Sequence, residues 1–238
     1  MALVPRSSAR RVMTGHDVSI AVDARMIASS GIGTYLRNTL PLMVHARPDW
    51  RFVLLGDRER LADAGFGAAD NVEIRESRAP IYSIREQLSF ATTARPRADL
   101  FWAPHYNIPL SRTARLVVTV HDVMHLTRPE YAGRWLRRQY AARMYSAVRR
   151  RASAVICVSE FTRRELERAV GTGPPLHVVH NGVHPSWFEP SRSADSAAAA
   201  RPYVVFVGLA KPHKNLAGLL EAFATIRDRV PHELVLVG

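Results

Sequence analysis

The chain has 238 residues, 47% of them hydrophobic and 23% charged, which is ordinary globular material able to bury a core. No apolar run approaches the roughly 20 residues needed to cross a bilayer, and a single cysteine, Cys157, excludes a disulfide framework or a cysteine metal site within one chain. The net charge of +12, with arginine at every basic position except Lys211 and Lys214, favours phosphates, anionic lipids or nucleic acid as partners but says nothing about chemistry.

Residues 1–15 read as an addition rather than fold: Leu3–Ser7 is LVPRS, close to a protease site of expression tags, and Met13 would serve as a natural start. From Val18 short apolar runs alternate with longer amphipathic segments. Val18–Val22 is a predicted strand, followed by Asp23-Ala24-Arg25, the loop Ser29–Gly33 and a helix from about Thr34 to His45. Further strands are predicted at Arg51–Leu55, Val72–Ile74 (weaker) and Asp99–Trp102, with a helical segment near Ile84–Thr93. Leu116–Val120 is apolar or β-branched without charge, the mark of a strand buried on both faces. A long basic helix, about Tyr131–Arg150, leads to a strand at Ala154–Val158. Cys157 lies in that apolar run and reads as a core thiol, in keeping with a reducing cytoplasm. A helix at Glu160–Val170 and a strand at Leu176–Val179, ending in His180-Asn181-Gly182, close the series.

Strands separated by helices of about ten residues or more imply parallel pairing through crossovers, hence a doubly wound α/β domain over residues 16–189. Residues 190–201, a Ser/Ala/Arg stretch without apolar period, read as a linker. Beyond it Tyr203–Val207, a helix at Asn215–Arg229 and a strand at Leu234–Val237 form one β-α-β unit, residues 202–238. One such unit cannot bury both faces of a sheet, so a second α/β domain is expected to begin there and to be cut short.

Four features could carry chemistry. In an open parallel sheet, residues just past the strand ends face the ligand crevice, which places His121 and Asp122 there. They read as a cleft imidazole with Asp122 fixing turn or ring, or as a satisfied histidine under a loop. Zinc is disfavoured, since His121 and His125 lack a third ligand. Gly31 and Gly33 precede a helix, whose free N–H groups favour anions, although the third glycine of the dinucleotide fingerprint falls at Leu36; an ordinary strand–helix turn fits as well. Lys211 and Lys214 flank Pro212-His213 at another helix start and offer point charges for a phosphate, or are simply solvated. The basic helix repeats Trp135, Leu136, Tyr140, Met144 and Val148 at helical spacing, which suits packing on the sheet better than lying on an anionic membrane.

Together these motifs resemble the retaining glycosyltransferases of family four, which have the GT-B fold of two Rossmann-like domains. The resemblance rests on Asp23-Ala24-Arg25 with Ser30–Tyr35, Trp102-Ala103-Pro104-His105, His121-Asp122, Val158–Thr162, His180–Val183, and Val207-Gly208 through Lys211–Leu216. It implies an acceptor-side amino domain and a carboxyl domain for a nucleotide-diphosphate sugar. Gly31 and Gly33 would approach the diphosphate, His121 would bond the donor sugar as the catalytic residue, and Lys214, less firmly Lys211, would neutralise phosphate. Asp122, Asn181 and Gly208 would lie near the cleft. No metal or other cofactor is expected.

The same resemblance suggests a mannosyltransferase of cell-surface polysaccharide synthesis, with a saccharide or lipid-linked acceptor, cytoplasmic or peripheral at the inner face of the membrane. The family's pair of glutamates, seven residues apart in the carboxyl domain, does not occur before Gly238, so this chain by itself is expected to bind donor weakly. A truncated, inactive relative acting as a binding or scaffold protein is the alternative. Nucleic-acid binding is not favoured, because aromatics are not interleaved with the basic runs.

Overall fold

The computed structural model describes residues 18–92, 98–111, 115–128, 135–189 and 202–238; the expected tag-like start and the expected linker lie outside them. Seven strands make one sheet: β1 Ser19–Asp23, β2 Arg51–Gly56, β3 Val72–Glu76, β4 Leu100–Ala103, β5 Arg115–Val120, β6 Ala154–Cys157 and β7 Leu176–Val178. All neighbours pair in parallel, in the order β3-β2-β1-β4-β5-β6-β7. The order reverses between β1 and β4, and in such sheets the crevice at the strands' carboxyl ends opens at this switch point. The fold is the Rossmann-like α/β fold expected from the sequence.

Side chains on a strand alternate between faces, and the core divides accordingly. Ile20 and Val22 of β1, Phe52 and Leu54 of β2 and Trp102 of β4 pack with Leu36 and Leu40 of α1 (Ile32–Ala46) and Leu61 of α2 (Arg58–Asp63). Ala21, Val53, Leu55, Phe101, Leu116, Val118 and Val120 face the other way. They meet Phe90 of α3 (Ile84–Thr92), Met144, Tyr145 and Val148 of α5 (Trp135–Arg151) and Leu166 of α6 (Glu160–Val170). Both faces of the sheet are therefore covered, which is why its strands read as unbroken apolar runs.

Three local details differ from the sequence reading. Helix α1 begins at Ile32, so Gly33 lies in its first turn, tight against the Met26 and Ile27 carbonyls. Helix α2, too short to show a hydrophobic period, is absent from the predicted elements; Asp57 caps it by accepting from the Arg60 N–H at 3.2 Å. The short α4 (Met124–Thr127) follows the His121-Asp122 turn. The basic helix does pack on the sheet through Met144 and Val148, while Trp135 and Leu136 stay exposed. Among the described residues no helix is long and apolar enough to cross a membrane.

A second, two-stranded sheet pairs β8 (Tyr203–Val207) with β9 (Glu233–Val237) in parallel around α7 (Leu216–Ile226). None of its residues is buried.

Candidate active site

The carboxyl edge of the sheet is a polar shelf with two sides. On the α1 side stands His121. Alternation along β5 turns it away from Val120 and towards α1, where Tyr35 meets it edge-on at 5.0 Å. The ring nitrogen Nε2 lies 3.0 Å from the Pro104 carbonyl, which can only accept, so Nε2 carries the proton and Nδ1 is left as an acceptor. Burial lowers the imidazole pKa against the pull of the Pro104 bond and Asp122, keeping the ring neutral at pH 7. The backbone of the turn is fixed too: Thr162 Oγ1 donates to the His121 carbonyl (3.1 Å) and the Tyr145 hydroxyl donates to the Asp122 carbonyl (2.6 Å). The Asp122 carboxylate accepts from the Met124 N–H at 3.0 Å, so it serves the turn.

Tyr35 also lines a groove of about 960 Å³ between α1 and the loop after β7. Gly31 and Asn181 both line this groove, with Thr34, Arg37 and Gly182. Gly31 adopts φ +66° with open space where a Cβ would stand, and α1 has no side-chain cap there. Unpaired N–H groups at such a helix start, beside Arg37, suit an anion. Gly33 is buried; a Cβ there would lie 2.6 Å from the Ile27 oxygen, so its want of a side chain serves packing. The structure thus joins Gly31, Asn181 and, one ring behind, His121. Gly208 (φ +149°) ends β8, and Lys211 and Lys214 are exposed in the loop that follows, on the other sheet and outside this groove. Cys157 is fully buried, and burial pushes its thiol up to about 11, which makes it inert.

Between the two sides lies a charge cluster whose roles sequence reasoning missed. Arg25 holds Asp23 bidentately, Nε to Oδ1 at 2.7 Å and Nη2 to Oδ2 at 2.6 Å, and reaches Glu86 Oε1 at 2.6 Å. All three side chains are nearly sealed from water. Burial opposes the Arg25 charge, yet the two carboxylates hold its pKa above the usual value; burial likewise raises Glu86, with Arg25 opposing. Next to it His105 accepts the Asn107 N–H on Nδ1 and therefore donates from Nε2 to the Tyr82 hydroxyl (3.1 Å). Burial pushes its imidazole down to about 4. Asp23-Ala24-Arg25 was visible as a motif; Glu86, 61 residues away, gave no local signal.

A buried sheet with a polar, ligand-sized edge at its switch point defines a Rossmann-like binding domain. Comparison with known proteins sharpens this. Residues 29–187 match the model of Glycosyltransferase Family 4, and the chain belongs to that family. It is 26% identical over 148 residues to O-antigen chain mannosyltransferase B of Escherichia coli, covering 58% of this chain and 38% of that one. The chain thus spans well under half the length of this curated relative. Among solved structures, a sucrose-phosphate synthase from Thermosynechococcus elongatus superposes with TM-score 0.68 at 16% identity, over 94% of this chain and 62% of that one. Anabaena HepE in complex with UDP gives 0.59 at 17%, over 93% and 62%. The same enzyme in complex with UDP-glucose gives 0.55 at 15%, over 94% and 70%. These likenesses establish the shared GT-B type of fold.

Proposed function

We propose that the protein is a retaining glycosyltransferase that moves a sugar from a nucleotide-diphosphate donor to a saccharide or lipid-linked saccharide. The observation that carries this reading is the family match, which spans Gly31, His121 and Asn181 in one stretch. Gly31 and Asn181 line one groove at the sheet edge, and His121 stands behind the Tyr35 ring that also lines it. As the diphosphate leaves, the anomeric carbon gains positive character and charge collects on the phosphate oxygens, so catalysis rests on fixed donors aimed at that charge. The open start of α1 at Gly31 supplies such donors, and Lys214 with Lys211 adds cations from the second sheet. Neutral His121, its Nε2–H committed to Pro104, takes a donor-sugar hydroxyl on Nδ1 and sets the sugar against the acceptor. No step requires a metal or other cofactor.

Mannose is the favoured sugar, supported by the Escherichia coli relative; the Anabaena complexes keep a UDP-sugar in view. A cytoplasmic setting and a place in polysaccharide synthesis go with that assignment. The test is nucleoside diphosphate release from GDP-mannose and UDP-glucose with a mannoside acceptor, for this chain and for the chain extended through a complete second Rossmann-like domain. Acceptor-dependent release supports the reading, and none from either form with either donor overturns it.

A further inference from the structure

At the edge of the sheet where β6 and β7 begin, away from the donor groove, a cavity opens that the donor reading leaves unused. It lies between α5 and α6 and has a volume of about 430 Å³, within the roughly 300–1,000 Å³ of ordinary small-molecule sites. Tyr145 and Val148 of α5, Val155 of β6, Leu166 and Val170 of α6 and Leu176 of β7 give it apolar walls.

The rim is polar and pinned in place. Helix α6 ends at Gly171 (φ +74°), whose N–H donates to the Glu167 carbonyl at 2.8 Å. The chain then passes along the last turn of α5, where Arg149 Nε donates to the Thr172 carbonyl. It runs so close that a Cβ on Gly173 would stand 2.8 Å from Arg149 Cγ. Nε is thus committed to the loop, while Nη1 and Nη2 make no hydrogen bond or ion pair among the described residues. Glu167, also on the rim, is neutralised by Arg163 Nη1 at 2.8 Å, so Arg149 brings an unmatched positive charge there.

The two helical walls also hold the His121-Asp122 turn. Tyr145, which lines the cavity, donates its hydroxyl to the Asp122 carbonyl, and α6 places Thr162 Oγ1 on the His121 carbonyl. A body wedged between α5 and α6 bears on both bonds, because close-packed interiors transmit strain.

We propose that this cavity binds an apolar monocarboxylate, its body between α5 and α6 and its carboxylate on Arg149 Nη1 and Nη2, and that occupancy shifts the His121 turn. The regulatory meaning rests on the glycosyltransferase reading of His121; the binding does not. Apolar walls favour a ligand body without hydroxyls, since each hydroxyl buried there would need a partner. A guanidinium offers paired N–H donors that match the two oxygens of a carboxylate. Inorganic phosphate would meet the same donors but leave the apolar walls unfilled.

Methyl and imidazole NMR on the 238-residue chain tests this, with hydrocinnamate as the probe and hydrocinnamyl alcohol as its uncharged counterpart. We expect the acid to shift the methyl signals of Val148, Val155, Leu166, Val170 and Leu176 together with the His121 ring signal. In Arg149→Gln, a change at an exposed side chain, affinity for the acid should fall by about 3- to 10-fold while that for the alcohol stays the same. Val170→Phe fills the cavity from a half-buried position and should abolish both sets of shifts. Tyr145→Phe removes the Asp122 bond and should keep the methyl shifts but reduce the one at His121. The proposal is overturned by no methyl shifts with the acid, by equal acid affinity in Arg149→Gln, or by equal methyl shifts with inorganic phosphate. A His121 signal that stays still in the wild type, or still moves in a folded Val170→Phe, overturns it too. Donor and turnover play no part, so failure here leaves the transferase assay standing, and the converse holds.

Discussion

Arg25 spans the switch point with one guanidinium and two carboxylates, in a place where water cannot replace a lost partner. Removing one member of a buried ion cluster costs about 3–5 kcal/mol, because the remaining charge is stranded. Arg25→Ala should therefore lower the unfolding free energy extrapolated from urea titration by an amount of that order, more than loss of any exposed arginine. His105 makes the second residue-scale prediction. Its pKa falls from 6.5 to about 4 on folding, so between these values the unfolded chain binds a proton that the folded chain does not. Stability is then complete above pH 6.5 and declines towards pH 4, by up to roughly 3 kcal/mol. Thermal midpoints across that window should fall steeply in the wild type and less steeply in His105→Asn; a parallel decline would refute the assignment. His121, shifted in the same direction, adds to the slope in both proteins. His121 was legible from its place after a buried strand. Tyr82 and Glu86 were not, because their meaning lies in partners that only the folded sheet edge brings near.

At the scale of elements, α1 shows how packing overrides a local reading. Glycine at positions 31 and 33 suggested a loop, yet the helix begins between them and Gly33 is where its first turn touches the preceding loop. Gly33→Ala would set a methyl 2.6 and 2.7 Å from two carbonyl oxygens. The backbone must shift, at about 1–3 kcal/mol, and calorimetry should show a lower midpoint; an unchanged one would mean that the loop moves freely. The strands were legible because burial on both faces removes polar residues from them. Helix α5 was legible for the same reason on its Met144–Val148 face. Helix α2 was not, since six residues capped by Asp57 carry no period.

At the scale of the whole molecule, two sheets of unequal standing emerge. The first has a core on both faces, while β8 and β9 expose Val204, Val205, Val207, Leu236 and Val237. A pair of strands with one helix is marginal without further packing. Hydrogen exchange should therefore protect the amides of β1, β2, β4 and β5 far longer than those of β8 and β9; equal protection would show that the second sheet is covered in solution. The doubly wound fold followed from alternating strands and helices, whereas the division of the sheet edge into a His121 side and a Tyr82 side needed the structure. The central claim is that the His121 side serves the donor sugar. Turnover of a nucleotide sugar by His121→Ala, in the chain extended through a complete second domain, tests it most directly. The account predicts a fall in kcat of about 100-fold with the thermal midpoint nearly unchanged. Wild-type turnover in a folded His121→Ala protein would contradict it.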